Sequence, residues 1–148
     1  MNKTEVISTL NNLIEICRKG QAEFRKAADS VQNSEFRRLF NIFHQQRTQF
    51  ITELQTELNR LGGESESAVE TKPSNTIPFV SAAARKTMVN RDEASVVADC
   101  QSEEESAVND YQEALKADLP LDVQYVVKRQ YMDIKDAYDR IRILQRAA

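Results

Sequence analysis

Four polar residues interrupt the apolar pattern of this chain, and one of them, Glu104, is of a type that binds metal ions well. Gln21, Arg47 and Gln130 are the other three. A glutamate on the inner face of a helix, together with a histidine, is the chemistry by which helical bundles hold iron or manganese. His44 is the only histidine of the chain. The sequence must then supply the remaining ligands of such a centre.

A bundle that binds two metal ions takes one glutamate from each of two helices and a Glu-x-x-His motif from each of the other two. Glu104 matches one of these ligands. The other positions are filled by Gln21, Asn41-x-x-His44 and Lys135-x-x-Tyr138. Glutamine and asparagine are poorer ligands, and a lysine repels a cation. The sequence therefore predicts no complete di-metal site, and a site of iron or manganese, if one formed, would use His44 and Glu104.

Glu104 needs a partner if it is buried, because an isolated charge inside a protein costs several kcal/mol. Arg47 is the only cation on an apolar stripe, and a guanidinium can bind a carboxylate through two hydrogen bonds. We therefore expect a buried polar network of Gln21, Arg47, Glu104 and Gln130. There are two alternatives to this network. Glu104 could bind a single metal ion, or it could be exposed on the surface.

Four long segments must position these residues, since apolar residues recur in each at intervals of three and four, as in an amphipathic helix. The predicted helices span 2–30, 34–61, 91–117 and 120–146. The stripes carry, in order, Ile7, Leu10, Ile14, Cys17, Phe24, Ala28 and Val31; Phe36, Phe40, Phe43, Phe50, Leu54 and Leu58; Val97, Cys100, Ala107 and Tyr111; and Val123, Val127, Ile134, Ala137 and Ile141.

Helix ends are marked by capping residues. Asn2 and Glu5, and again Asn90 and Glu93, have the spacing of a capping box, while Asn33 and Ser34 suit the start of the second helix. Gly62-Gly63 ends that helix, and Pro120 fits the first turn of the fourth.

Residues 62–90 form a polar, proline-containing connection in which only FVSAAARKTMV favours a short helix. Neighbouring antiparallel helices need only about two to eight connecting residues. A connection of this length can return along the whole bundle, so the third helix should run parallel to the second. We predict a single all-α domain, residues 1–148, with two antiparallel helical hairpins joined by a long crossover, the topology of ferritin-like bundles.

Composition excludes several function classes. The formal net charge of -3, with basic residues scattered among acids, gives no surface for nucleic acid, and no apolar run is long enough for a membrane span.

Cys17 and Cys100 lie on apolar stripes, so buried thiols are favoured over a disulfide or a redox pair. A nucleophilic triad would have to use His44, and neither cysteine has an activating context. The start of the chain lacks the apolar core of a signal peptide, so we expect a cytoplasmic protein.

Four blocks of the sequence, one in each helix, resemble a bacterial family of four-helix-bundle proteins of unassigned role that is grouped with the ferritin-like domains. They are LNNLIEICRKGQAEF, LFNIFHQQRTQFITELQTELNRLGG, CQSEEESAVNDYQEAL and LPLDVQYVVKRQYMDIKDAYDRIRIL. The resemblance implies the fold and a bacterial origin. Ferritin-like relatives oxidise or store iron or reduce peroxide, but the residues at Gln21, Asn41, Lys135 and Tyr138 depart from their ligand pattern.

Two hypotheses follow for the function. The first is a non-enzymatic bundle without cofactor, an interaction or stress-associated protein with an unknown protein partner. The second is a metal-dependent oxidoreductase, of ferroxidase or peroxidase type, with an atypical or mononuclear site. Either hypothesis allows a homodimer, because ferritin-like bundles often pair through helix faces.

Overall fold

The computed structural model of the protein describes residues 2–63 and 92–147, which form four helices. They are α1 (Lys3–Ser30), α2 (Ser34–Arg60), α3 (Glu93–Lys116) and α4 (Leu121–Ala147). This is the predicted all-α four-helix bundle. The short helix predicted within the connection lies outside the described residues.

Two helix ends form as the sequence predicts. Asn2 Oδ1 accepts a hydrogen bond from the backbone N–H of Glu5 at 2.8 Å, so that Asn2 caps α1. Asn33 caps α2 through the backbone N–H groups of Glu35 and Phe36. After α2, Gly62 adopts a left-handed conformation with φ of 76°, which glycine reaches without the steric cost of a side chain.

The third and fourth helices begin two residues and one residue later than the approximate predicted bounds. Asp92 caps α3, since Asp92 Oδ1 accepts from the N–H of Ser95 at 2.7 Å, and the predicted cap, Asn90, lies outside the described residues. Pro120 precedes α4, which begins at Leu121, and the Pro120 carbonyl accepts from the N–H of Gln124. Asp is as good an N-cap as Asn, and the spacing of Asn90 to Glu93 did not reveal which residue would be used.

Glu93 binds the turn between α1 and α2 and so fixes the direction of α3. Its Oε2 accepts from the backbone N–H groups of Gln32 at 2.6 Å and Asn33 at 2.9 Å. Because α2 starts at the same turn, α2 and α3 begin at the same end of the bundle and run parallel. Leu61, which ends α2, packs with the apolar cluster at the opposite end. The connection between α2 and α3 therefore joins opposite ends, as the predicted crossover requires.

The apolar residues face inward and form two clusters, one at each end of the bundle. The first apolar cluster includes Leu10, Leu13, Cys17, Phe50, Leu54, Leu58, Ala107, Tyr111, Val127 and Ile134. The second apolar cluster includes Phe24, Phe40, Phe43, Val97, Cys100, Ala137 and Ile141. On α2 the two clusters separate between Phe43 and Phe50, and on α3 between Cys100 and Ala107. Both intervals contain a buried polar residue.

None of the helices in the described part of the chain combines the length and the hydropathy that crossing a membrane requires.

Candidate functional site

Arg47 and Glu104 occupy the two intervals between the apolar clusters, and they bind each other there. The side chains are 0% and 1% exposed. Arg47 Nη2 donates a hydrogen bond to Glu104 Oε1, and Arg47 Nη1 donates to Gln46 Oε1 at 3.2 Å. The middle of the bundle thus holds an ion pair between α2 and α3.

The backbone and two aromatic rings make room for the guanidinium. Arg47 Cζ lies 5.4 Å from the ring centroid of Phe24 and 5.6 Å from that of Phe50, within the range of cation–π attraction. On α1, a Cβ atom placed on Gly20 would lie only 2.9 Å from Arg47 Nε. Gly20 is itself buried in the middle of a long helix. The absence of a side chain at Gly20 therefore provides the space that Arg47 fills.

Desolvation and attraction oppose each other at this pair. Burial raises the pKa of the Glu104 carboxyl above its ordinary value, while the charge and hydrogen bond of Arg47 lower it, and the net shift is upward. Burial, the largest single cause, lowers the pKa of Arg47, but the charge and hydrogen bond of Glu104 together with Cys17 and Tyr111 outweigh it, and the net shift is upward. Arg47 Nε and Glu104 Oε2 have no hydrogen-bond partner among the described residues. An incompletely hydrogen-bonded buried pair adds little net stability, although losing one partner is costly.

Gln130 belongs to a second hydrogen-bond network, which runs from the core to the surface. Gln130 Oε1 accepts from the hydroxyl of Tyr111 at 2.8 Å, and Nε2 donates to Glu53 Oε1 at 2.9 Å and to the carbonyl of Phe50 at 3.3 Å. Glu53 Oε2 accepts from Arg129 Nη2 at 2.6 Å. The prediction placed Gln130 in one network with Glu104, but its hydrogen bonds go to Tyr111, Phe50 and Glu53.

Cys17 lies at the inner end of this hydrogen-bond network, in the core. Its Sγ lies 3.1 Å from the hydroxyl oxygen of Tyr111, and because that hydroxyl gives its proton to Gln130, the thiol is the donor. The thiol is fully buried and free, as is that of Cys100. Burial raises the pKa of Cys17 from 9.0 to about 11, although the charge of Arg47 lowers it. Both cysteines are therefore buried thiols, as their stripe positions predict.

The raised pKa of Cys17 predicts a loss of stability in alkali. Below pH 9 the thiol is protonated in both states; between pH 9 and 11 it ionises in the unfolded chain first, so the folded state loses stability as pH rises. Over this pH range we expect the free energy of unfolding to fall by about 2 kcal/mol more in the native protein than in Cys17→Ala. Urea unfolding of both proteins at pH 8.5 and 11 measures the difference, and equal losses would contradict it.

Gln21 and His44 lie at the edge of the α1–α2 interface and not in the core. Gln21 is half-buried, and its Nε2 donates to Thr48 Oγ1 at 2.7 Å. His44 is half-buried too, with Nδ1 2.9 Å from the backbone oxygen of Gln21. A carbonyl only accepts, so Nδ1 carries the proton in this contact. The predicted inward position of Gln21 is wrong because α1 turns the neighbouring Gly20 towards Arg47.

The remaining predicted ligand positions also point away from Glu104. Asn41 and Lys135 are exposed, and Tyr138 is half-buried with Arg142 Cζ 5.7 Å from its ring centroid. Within residues 2–63 and 92–147, no three His, Cys, Asp or Glu side chains are grouped so that they could hold a metal ion. The donor set therefore does not fit the di-metal centre of ferritin-like proteins, and Glu104 faces a guanidinium.

Sequence reasoning missed three residues of the site: Gly20, Glu53 and Arg129. Gly20 carried a signal, because a lone glycine inside a helix often marks a close approach of another group. Glu53 and Arg129 carried none, since their contact joins α2 to α4 through a half-buried and an exposed position that no stripe identifies.

Comparison with known proteins adds the family and the fold. Residues 5–117 match the profile of a domain of unknown function, DUF2383. No curated protein matches the chain. A similar fold occurs in a crystal structure from Anabaena variabilis, a two-domain protein containing DJ-1/ThiJ/PfpI-like and ferritin-like domains, with a TM-score of 0.78 and 16% identity.

That alignment covers 99% of this chain and 37% of the Anabaena protein. The chain therefore spans about a third of the length of that protein, and at this identity the likeness concerns the fold alone. The profile match includes α2, α3 and all of α1 except its first two residues, and with them both residues of the buried ion pair. This chain belongs to the DUF2383 family, a family of unknown function, and it has a ferritin-like four-helix fold.

Proposed function

We propose that this protein is a non-enzymatic ferritin-like bundle that acts through protein–protein binding. The observation that carries the proposal is the Arg47–Glu104 pair in the middle of the core. A guanidinium supplies the positive charge that metal ions supply to carboxylates in ferritin-like enzymes. Arginine remains protonated at any ordinary pH, so this positive charge is permanent.

The surroundings of Arg47 support the same proposal. Gly20, Phe24 and Phe50 enclose the guanidinium, so the core is shaped for this side chain. Binding a metal at Glu104 would require displacing Arg47 and burying its charge elsewhere. Both changes cost free energy, and the described residues around Arg47 offer no contact that would offset that cost.

A binding role is favoured by apolar side chains on the outside of the bundle. Leu121, Tyr125, Met132 and Ile143 are large and mostly exposed, and all four lie on α4. Four of the five large apolar residues that are exposed in the described part of the chain thus share one helix, and clustered exposed apolar side chains are a feature of protein-binding surfaces. A cytoplasmic location and a bacterial origin remain predictions from the sequence, as does a role in stress.

The test is the metal content of protein purified without chelator, followed by anaerobic addition of Fe(II) to the metal-free protein and then admission of oxygen. We expect far less than one metal ion per chain and iron oxidation at the rate of buffer alone. Glu104→Gln and His44→Ala serve as matched variants, and both should behave like the native protein in this assay.

Stoichiometric metal that is lost in Glu104→Gln and His44→Ala would contradict the proposal. It would favour the alternative, a ferroxidase- or peroxidase-type oxidoreductase with an atypical iron or manganese site at these two residues.

A further inference from the structure

The outer face of α4 carries a narrow apolar stripe. Leu121, Tyr125, Met132 and Ile143 are 82%, 70%, 62% and 64% exposed. At about 100° per residue, all four fall within about 40° of one another around the helix axis. The opposite side of α4 faces the core and buries Val123, Val127, Gln130, Ile134, Ala137 and Ile141. α4 therefore has one face that covers the core and an opposite, exposed face on which four large apolar residues alternate with charged ones.

Three of these four residues, Leu121, Met132 and Ile143, are placed symmetrically about Met132. Leu121 lies eleven positions before Met132, and Ile143 lies eleven positions after it. If two copies of α4 pack antiparallel about a two-fold axis at Met132, each Leu121 meets the partner's Ile143, and the two Met132 side chains meet each other. A two-fold interface requires this kind of self-complementary surface.

The polar residues on the same stripe obey the same symmetry. Lys128 lies four positions before Met132 and Asp136 four after, while Tyr125 lies seven before and Asp139 seven after. The antiparallel pairing thus sets each Lys128 against the partner's Asp136, and each Tyr125 hydroxyl against the partner's Asp139 carboxylate. Asp136 also pairs with Arg140 of its own helix at 3.1 Å, and it is 64% exposed there, so it remains accessible. Charge complementarity sets register and discriminates against wrong partners.

We infer that this protein forms a two-fold homodimer through the outer face of α4, with the helices antiparallel and centred on Met132. This specifies the partner within the proposed function, and it rests on that function only in assuming a binding role. Whether the core binds metal does not affect it. Four apolar residues with a polar surround make a small interface, so the dissociation constant should be on the order of 10 µM.

Sedimentation equilibrium from about 1 to about 200 µM tests the inference, by measuring whether the mass rises from that of the 16.9 kDa chain to twice that value. Met132→Lys places two like charges at the symmetry axis and should weaken association by at least about tenfold. Ile42→Lys is the matched control: Ile42 is 45% exposed on α2, off the stripe, and its replacement should leave association unchanged. Circular dichroism shows that each variant is folded.

A charge exchange tests the register. Lys128→Asp places an aspartate opposite the partner's Asp136 at both symmetry-related contacts and should weaken the dimer about tenfold. Asp136→Lys places two lysines opposite each other and should have the same effect. The double variant restores both contacts and should restore the native dissociation constant. A native protein that stays monomeric at all concentrations would overturn the inference and leave the stripe to a different protein. A dimer insensitive to Met132→Lys, or a charge exchange without recovery, would equally overturn it.

Discussion

Arg47→Ala should destabilise the protein by about 3–5 kcal/mol, because it leaves the Glu104 carboxyl buried without its cation. The carboxyl must then remain charged in an apolar core or take up a proton. Both cost free energy at neutral pH. Urea or thermal unfolding of the purified variant measures the loss.

A double variant separates the cost of a lone charge from the worth of the pair. Arg47→Met with Glu104→Leu replaces both groups by apolar side chains of similar volume, and we expect it to be within about 1 kcal/mol of the native protein or more stable. Removing Arg47 also removes the charge and the hydrogen bond that lower the pKa of Glu104, so the pKa of this carboxyl should rise further in Arg47→Ala. Because the folded variant then binds a proton more readily than the unfolded chain, it should regain stability as the pH falls from 8 to 5. Equal losses in the single and double variants would contradict this account.

Gly20→Val should cost about 3 kcal/mol, although replacing a glycine inside a helix ordinarily stabilises it. The added Cβ would lie 2.9 Å from Arg47 Nε and 3.4 Å from Arg47 Cδ. Arg47 is held by Glu104 and by the Phe24 and Phe50 rings, so it cannot move aside without breaking the pair. The measurement is again the free energy of unfolding.

The matched control for Gly20 uses the same apolar double variant. With Met at position 47, the end of the side chain is no longer held and can turn away from α1. Gly20→Ala should therefore destabilise the native protein but be neutral or stabilising, by up to about 1 kcal/mol, when Arg47 and Glu104 are both replaced. The same sign in both backgrounds would mean that Gly20 does not serve Arg47.

The fold was accessible from the sequence because apolar spacing and capping residues agree along most of the chain. Asn2, Asn33 and Gly62 mark helix ends by local hydrogen bonds that depend only on neighbouring residues. The start of α3 was predicted at Asn90, two positions before the observed cap, Asp92. The choice between them depends on where Glu93 reaches the α1–α2 turn, which is a contact between distant segments.

The candidate site was accessible in part. Arg47 and Glu104 are the one cation and the one acid on the stripes, so their contact could be expected from charge and burial. Gln21 occupies a stripe position by spacing alone, but the space Arg47 needs selects Gly20 as the inward residue. The hydrogen bonds of Gln130 to Glu53 and Tyr111 cross between helices, and sequence periodicity does not determine which side chains meet there.

X-ray diffraction from crystals soaked in Fe(II) under anaerobic conditions, with data collected at the iron absorption edge, tests most directly whether Arg47 holds the place of a metal. We expect density for the Arg47 guanidinium against Glu104, between the Phe24 and Phe50 rings, and no anomalous peak in the core. An anomalous peak within coordination distance of Glu104, with Arg47 displaced, would contradict the account.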